Sequence, residues 1–436
     1  MTSMPSRQTG WRVAAAGVVV VLLCGAGSRD VASQAVSLSP AATSSPVVDR
    51  VARIDQFLQQ YIDDSQVAGI VALVLQDGQP VYERAVGWRD KEAVDPMRVD
   101  SIFRIASQSK AITSAAIMML VEEGKVRLAD PASRFIPAFA TTTVAERTGA
   151  GAEISIVPAR RQIQIKDLLT HTSGMSYGTE PHIAKLYQEK GLGPAAGMGW
   201  YFADKTEPIC ASIERLATLP FISHPGDAYV YGYSTDVLGC VVERASGKSL
   251  DEFIRTRVTV PLGMSDTHFY LPTAKRDRLA VVYGTSSPAG ITRSEAGPRG
   301  QGAYVDGPRV SYSGGAGLLS TARDYARFLE MIRRDGIYEG RRLLGTRAVA
   351  LMRTNQIGTV RGTNGLGYGY GFETTDRFGA NELDPVGAFG WGGAYGSIYR
   401  IDPESKLVIV LMFQMIPNAT DLRQKFPTLV YQAFAN

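Results

Sequence analysis

A serine and a lysine three positions apart are the first residues in this chain whose types and spacing could do chemistry. Ser107 and Lys110 form an S-x-x-K pair directly before an apolar stretch, residues 111–123, that is typical of a helix. If that helix begins near Ser107, positions i and i+3 share a face and the hydroxyl can meet the amine. The free N–H groups and positive dipole at a helix N-terminus would favour an oxyanion and a neutral lysine there. Because a neutral lysine can accept a hydroxyl proton, the pair predicts a serine nucleophile with a lysine base. The motif alone also fits a plain helix start with a solvated lysine.

A phenol could complete such a site. Tyr231-Gly232-Tyr233 lies in a Gly- and Tyr-rich segment. A tyrosine placed between Lys110 and a leaving group could relay the proton, and Tyr231 is the candidate for that role. Tyr233 is predicted to contact substrate. The alternative for this segment is aromatic packing in a loop.

A glycine-rich segment near the C-terminus is the third candidate. Trp391-Gly392-Gly393-Ala394 precedes a predicted hairpin. Glycines at a strand edge usually mark the close approach of a ligand or another backbone. Substrate could therefore lie along this strand, where the N–H of Ala394 would join that of Ser107 as an oxyanion donor. An ordinary Gly-rich bend is the alternative.

The hydrophobic pattern predicts a scaffold made from both chain ends. The predicted terminal elements are a helix over 48–62, strands over 69–76 and 81–87, a hairpin of 397–401 with 407–414, and a helix over 421–434. The middle is predicted to contain helices over 111–123, 163–169, 235–245 and 321–333, and a loop over 140–160. The predicted fold class is α/β (α+β): an antiparallel sheet built from both chain ends, flanked by helices, plus an inserted mainly helical lobe. One catalytic domain is expected over 47–436, with an α/β lobe of 47–110 and 305–436 around a helical lobe of 111–304.

The N-terminus has the pattern of an export signal. Two arginines precede an uncharged run, residues 13–26, of the length of a signal core. That run is shorter than the roughly 20 apolar residues of a membrane span. The sequence predicts a signal peptide over 1–28, with position 35 as the alternative cleavage point. A Ser-, Ala- and Pro-rich disordered leader is predicted over 29–46. The protein is therefore expected to be periplasmic or secreted, without a stable membrane span once mature. Lipid attachment at Cys24 is disfavoured by the bulky residue before it.

Charge and cysteine content exclude several partners. Without residues 1–28 the chain carries 44 basic and 42 acidic residues, which gives no electrostatic reason to bind nucleic acid or an acidic membrane. Cys210 and Cys240 could pair in an oxidising compartment or remain two buried thiols. Four scattered histidines and no cysteine cluster predict neither a metal nor a cofactor. Small-molecule acyl esters or β-lactams are the expected partners, and the sequence gives no oligomeric state.

The three chemical segments, in this order and spacing, resemble the serine β-lactamase and penicillin-binding-protein superfamily. The resemblance is closest to its class C-like branch and to family VIII carboxylesterases. It covers residues 50–432 and is carried by 103–107, 130–137, 168–174, 261–264, 314–318, 389–396 and 401–403. It implies Ser107 as nucleophile, Lys110 and Tyr231 as the general-base pair, and a β-lactamase/transpeptidase-like fold.

The departures from that family concern the substrate. Trp391 stands where lactamases carry the basic residue that holds a carboxylate, and it cannot anchor an anion. Tyr233 replaces the asparagine of the class C Tyr-x-Asn motif. An apolar, aromatic-lined cleft is therefore expected, which favours neutral esters of short acyl chains over β-lactams.

Four other interpretations remain open. Gly174-Met175-Ser176-Tyr177-Gly178 is a G-x-S-x-G motif, which would make Ser176 the nucleophile of an α/β-hydrolase, but no apolar strand precedes it. A class C-like β-lactamase, a D-amino acid peptidase or transacylase, and a non-turnover penicillin-binding sensor are the alternatives on the predicted fold. For the peptidase, the sequence offers no evident anchor for a terminal carboxylate.

Overall fold

Apolar runs from both chain ends pair into one eight-stranded antiparallel sheet in the computed structural model, which describes residues 46–148, 153–285 and 290–435. The strands are β1 (Gly69–Gln76), β2 (Gln79–Asp90), β3 (Asp95–Pro96), β4 (Phe103–Arg104), β5 (Thr143–Thr148), β6 (Glu153–Pro158), β7 (Tyr283–Thr285), β8 (Ile291–Arg293), β9 (Leu319–Ser320), β10 (Ile337–Tyr338), β11 (Arg341–Arg342), β12 (Leu366–Tyr368), β13 (Glu373–Thr375), β14 (Phe389–Gly392), β15 (Gly396–Asp402) and β16 (Leu407–Gln414). The large sheet has the order β12-β13-β14-β15-β16-β1-β2-β3. The first three strands of the described chain therefore join the last five, which confirms the predicted sheet.

The centre of the sheet is buried on both faces. β1 pairs with β16 so that Leu73 lies opposite Val410. Successive side chains of a strand point to opposite faces, and β1 shows this directly. Val71 and Leu73 belong to the core that also contains side chains of α2 and α8, whereas Ile70 and Ala72 pack into a second core on the other face. A β-branched run without polar residues is what a strand covered on both faces requires.

Helices cover both faces of the sheet. They are α1 (Pro46–Asp63), α2 (Ser109–Glu122), α3 (Ile165–Leu169), α4 (Ala184–Glu189), α5 (Ile209–Leu216), α6 (Ser234–Ser246), α7 (Leu250–Ile254), α8 (Ala322–Arg333), α9 (Thr346–Arg353) and α10 (Leu422–Phe434). The terminal helices α1 and α10 contact each other and supply Leu58 and Phe426 to the second core. On the opposite face α8 packs against β16, and α2 lies deeper, against α6.

α2 is buried along most of its length, from Ser109 to Leu120. A helix that is apolar nearly all round belongs in the interior, and its few polar side chains then need partners. Lys110 is one of them, with 1% of its surface exposed. The position of this helix therefore fixes the chemistry of its first turn.

The structure corrects the prediction of a loop over 140–160 and shows whether Cys210 and Cys240 pair. Residues 140–160 are not a loop: β5 and β6 form a hairpin that is anchored by a hydrogen bond from Ala145 N to Phe221 O (2.7 Å). The long-range pairing with Phe221 could not be seen from local composition. Cys210 and Cys240 form a disulfide that ties α5 to α6.

The predicted export signal over 1–28 and the leader over 29–46 lie outside the described residues, apart from Pro46 at the start of α1. Among the helices of the described ranges, none combines the length and the apolar character that crossing a bilayer requires.

Candidate active site

Ser107 lies on a short 3-10 turn, Ala106–Gln108, that leads directly into α2. The residue before it, Ala106, is buried and has a φ of 42°. A left-handed backbone costs a residue with a Cβ on the order of 1–2 kcal/mol and persists only where the surroundings impose it. The strained turn presents Ser107 to a cleft while α2 continues into the core.

Lys110 is held one turn after Ser107 and faces it. Its Nζ lies 3.3 Å from Ser107 Oγ, 3.1 Å from Tyr177 OH and 2.8 Å from Gly315 O. The spacing of three residues therefore brings hydroxyl and amine together, as the sequence predicts. The other two contacts use polar atoms from the middle of the chain, so the amine is fixed from three sides.

A buried carboxylate supports the loop that holds Lys110. Asp236 accepts hydrogen bonds from Ser313 Oγ (2.5 Å) and from Gly315 N (3.0 Å). Burial raises the pKa of Asp236, and the nearby Lys110 opposes that rise. Asp236 thus fixes Gly315, whose carbonyl accepts from Lys110, and places a carboxyl group behind the amine.

Tyr231 lies against the lysine with its ring rather than with its hydroxyl. Lys110 Nζ is 4.6 Å from the ring centroid, a cation–π distance. The phenol oxygen accepts a hydrogen bond from Trp391 Nε1 (3.2 Å). His171 packs on Tyr231 at 4.7 Å between ring centroids; burial, followed by Lys110 and Arg361, lowers the pKa of His171 well below its ordinary value. A neutral histidine therefore supports the ring of Tyr231.

The strand β14 forms one wall of the cleft, as the glycine-rich segment predicts. A Cβ on Gly393 would lie 2.6 Å from Ile105 O, so only glycine allows β14 to approach the turn before Ser107. Ala394 lines the cleft together with Ser107. Its N–H donates to no other described residue, which leaves it available to an oxyanion.

The prediction for Tyr233 is wrong. Its side chain is fully buried, and its hydroxyl accepts a hydrogen bond from Gly193 N (2.8 Å) behind the cleft. Tyr233 is the N-cap residue of α6, and its side chain points into the core. Tyr233 packs instead on the ring of Tyr177, with 5.2 Å between centroids.

Ser176 does not have the surroundings of a nucleophile. It is 2% exposed, donates to Glu180 Oε2 (2.6 Å) and accepts from Gly178 N (3.0 Å). Its hydroxyl makes no hydrogen bond with a lysine or histidine of the described residues. The G-x-S-x-G motif is therefore a loop whose serine closes a local turn.

The cleft that contains Ser107 has a volume of about 400 Å³. It is lined by Ser107, Tyr177, Trp200, Tyr231, Arg361, Glu373, Trp391, Gly392, Gly393, Ala394, Ile398, Arg400 and Arg423. The expectation of an apolar, aromatic-lined cleft is thus only half right, because one side carries three arginines and a glutamate. These charged residues come from β13, β15, α10 and a loop, and no local motif marks them.

Tyr177 is a functional candidate that no sequence motif indicates. It makes the direct contact with Lys110 that was expected of Tyr231. Burial, with Tyr231 next, raises the pKa of Tyr177 well above its ordinary value, so it remains a neutral phenol. The available signal is its position three residues after Gly174, just beyond the segment 168–174 that carries the family resemblance.

Comparisons with known proteins agree with this geometry. A family model described as Beta-lactamase matches residues 54–430. Esterase EstB of Burkholderia gladioli is 33% identical over 392 residues, which cover 87% of this chain and 94% of the esterase. Protein Rv1367c of Mycobacterium tuberculosis is 35% identical over 376 residues, 83% of this chain and 89% of that protein. Among solved structures, EstCE1, a hydrolase with promiscuous acyltransferase activity, matches with a TM-score of 0.72 and 26% identity over 89% of this chain and 98% of its own.

Proposed function

This chain belongs to the β-lactamase family, and we propose that it is a serine hydrolase that cleaves carboxylic esters of short acyl chains through an acyl-enzyme on Ser107. The observation that carries the proposal is the buried amine of Lys110, 3.3 Å from Ser107 Oγ at the wall of an open cleft. A buried amine beside a hydroxyl is the arrangement that activates a serine. The similarity to Esterase EstB over most of both chains supports an ester as the substrate.

The catalytic steps follow from the contacts. Lys110 accepts the proton of Ser107 as Oγ attacks the ester carbonyl, and the N–H groups of Ser107 and Ala394 stabilise the oxyanion. The alkoxide leaves with the proton that Lys110 took from Ser107, and the ring of Tyr231, which lies against Nζ, lines the same cleft. Water then attacks the acyl-enzyme by the reverse route, returning Ser107 with its proton. Tyr177, a neutral phenol bound to Nζ, is a positioning residue for Lys110.

Ester turnover by matched variants tests this proposal. We expect hydrolysis of p-nitrophenyl acetate and butyrate by the wild type, loss of at least a thousandfold in kcat for Ser107→Ala, and little change for Ser176→Ala. Ser176→Ala is the matched control because it removes a serine hydroxyl outside the cleft. A chromogenic cephalosporin is measured beside the esters. Faster turnover of the cephalosporin would assign the protein as a β-lactamase, and full activity of Ser107→Ala would remove the proposed nucleophile.

Export is a further part of the proposal. The signal-like run over 13–26 and the pairing of Cys210 with Cys240 support a periplasmic or secreted protein, because disulfides persist in oxidising compartments. N-terminal sequencing of protein from a fractionated culture tests this. A mature N-terminus after position 28 or 35 in the exported fraction is expected, and an intact N-terminus in the cytosol would contradict it.

A further inference from the structure

An arginine from the C-terminal helix reaches the wall of the catalytic cleft. Arg423 lies in the first turn of α10, and its side chain extends to the backbone of Gly392 in β14. A methyl group on Gly392 would overlap Nη2 of Arg423. The absence of a side chain at position 392 therefore opens the space that this guanidinium fills, one residue from the glycine that packs behind Ser107.

The neighbouring charges are already paired with one another. Glu373 accepts from Arg361 (2.5 Å) and from Arg400 (3.1 Å), and Asp384 lies 3.2 Å from Arg400 Nε. Arg423 has neither a hydrogen bond nor an ion pair with any residue of the described ranges. Three guanidinium groups thus face two carboxylates. Arg423 interacts with Glu373 only through the charge at a distance, and it is the one of the three without a hydrogen bond or an ion pair to a described residue.

Leaving that charge unpaired in the protein is unfavourable. Burial, followed by the like charge of Arg400, lowers the pKa of Arg423 below its ordinary value. An arginine nevertheless stays protonated in proteins, and its planar fork suits a carboxylate bound through two hydrogen bonds. Arg423 lines the catalytic cleft together with Ser107 and also a neighbouring pocket together with Asp384. A carboxylate that enters the catalytic cleft with the substrate would satisfy this group.

We infer that Arg423 anchors a carboxylate of the substrate, so that the preferred esters are monoanions such as half-esters of dicarboxylic acids. This inference rests on the proposed ester hydrolysis at Ser107 and specifies its substrate class. One unpaired guanidinium matches one negative charge, since Glu373 and Asp384 would repel a second. The anchor that Trp391 cannot provide in the third motif is thus supplied from α10.

Paired esters that differ in one carboxylate test the inference. On the acyl side, mono-p-nitrophenyl glutarate is compared with p-nitrophenyl butyrate; on the alcohol side, 4-acetoxybenzoate is compared with 4-methylphenyl acetate. The variants are Arg423→Gln and, as a control on the same helix, Lys425→Gln, whose exposed side chain pairs with Asp421. For at least one pair we expect the ratio of kcat/KM for the anionic ester to kcat/KM for the neutral ester to fall about tenfold or more in Arg423→Gln. The reason is that this variant loses the charged hydrogen bonds to the carboxylate. Lys425→Gln should keep the wild-type ratio.

Gly392→Ala is a second variant, which perturbs the guanidinium of Arg423 from β14. The added methyl group must displace the guanidinium, so the same ratio should fall although Arg423 is retained. A ratio that is equal in wild type, Arg423→Gln and Lys425→Gln for both pairs would overturn the inference, while leaving ester hydrolysis itself in place.

A binding measurement separates this inference from the proposed function. In calorimetric titrations of Ser107→Ala protein, monomethyl glutarate should bind and methyl butyrate should not. Adding Arg423→Gln to Ser107→Ala should raise the Kd for monomethyl glutarate about tenfold or more. If no ester is turned over, the proposed hydrolase function fails and this titration alone decides the anion site. Equal binding with and without Arg423 would refute it.

Discussion

Replacing Tyr177 by phenylalanine tests whether Lys110 must be held from a third side. The change removes the hydroxyl 3.1 Å from Nζ and leaves the ring between Tyr231 and Tyr233. A hydrogen bond to a charged group contributes about 1.5–3 kcal/mol, and each 1.4 kcal/mol is tenfold in rate. We therefore expect kcat/KM on p-nitrophenyl butyrate to fall by about 10- to 150-fold, measured from initial rates.

Tyr233→Phe is the matched control for this experiment. It removes a hydroxyl from a ring in contact with Tyr177, but that hydroxyl binds Gly193 N and not Lys110. We expect a loss of roughly 1–3 kcal/mol in the free energy of unfolding, because a buried N–H loses its acceptor, with kcat/KM within about threefold of wild type. A smaller loss of activity for Tyr177→Phe than for Tyr233→Phe would refute the positioning role of Tyr177.

Two further predictions concern stability. Burial lowers the pKa of His171, so this side chain stays neutral in the folded protein. Below about pH 6.5 the unfolded chain therefore binds one proton more than the folded protein. For this group alone, the free energy of unfolding then falls by roughly 1.4 kcal/mol for each pH unit of acidification. His171→Asn, which tolerates the φ of 56° at this position, should flatten that decline in urea denaturation between pH 6.5 and 5, and an unchanged slope would contradict the assignment. The Cys210–Cys240 disulfide closes a loop of 30 residues, so Cys210→Ala with Cys240→Ala should lower the free energy of unfolding by about 3–4 kcal/mol. A Tm unchanged by the double substitution, or by reduction of the wild type, would show that the bond does not form.

The sheet and its terminal helices could be predicted because their signals are local. Period-two and helical patterns predicted β1, β16, α1 and α10 within a few residues. The hairpin of β5 and β6 was missed because its anchor, Phe221, lies more than 60 residues further along the chain. Hydrophobic periodicity within one segment predicts a helix or a strand. A polar segment becomes a strand only when a distant segment pairs with its backbone.

Some residues of the candidate site have a local signal in the sequence, and others reach the site only through the tertiary fold. Ser107 and Lys110 were found because one helical turn brings them together. The sequence places Tyr233 wrongly, because adjacency to Tyr231 does not determine which way a side chain points at the N-cap of α6. Arg361 and Arg423 carry no motif at all, and only the assembled sheet and α10 bring them to the cleft. Charge at this cleft is a tertiary property, which is why the sequence predicted it to be apolar.

Trapping the acyl-enzyme shows directly whether Ser107 is the nucleophile. Wild type, Ser107→Ala and Ser176→Ala are mixed with p-nitrophenyl acetate, quenched in acid within seconds, and examined by intact mass and peptide mapping. We expect an acetyl group on Ser107 that appears and then disappears in the wild type and in Ser176→Ala, and that is missing in Ser107→Ala. An acetyl group on Ser176, or turnover by Ser107→Ala at the wild-type rate, would contradict it.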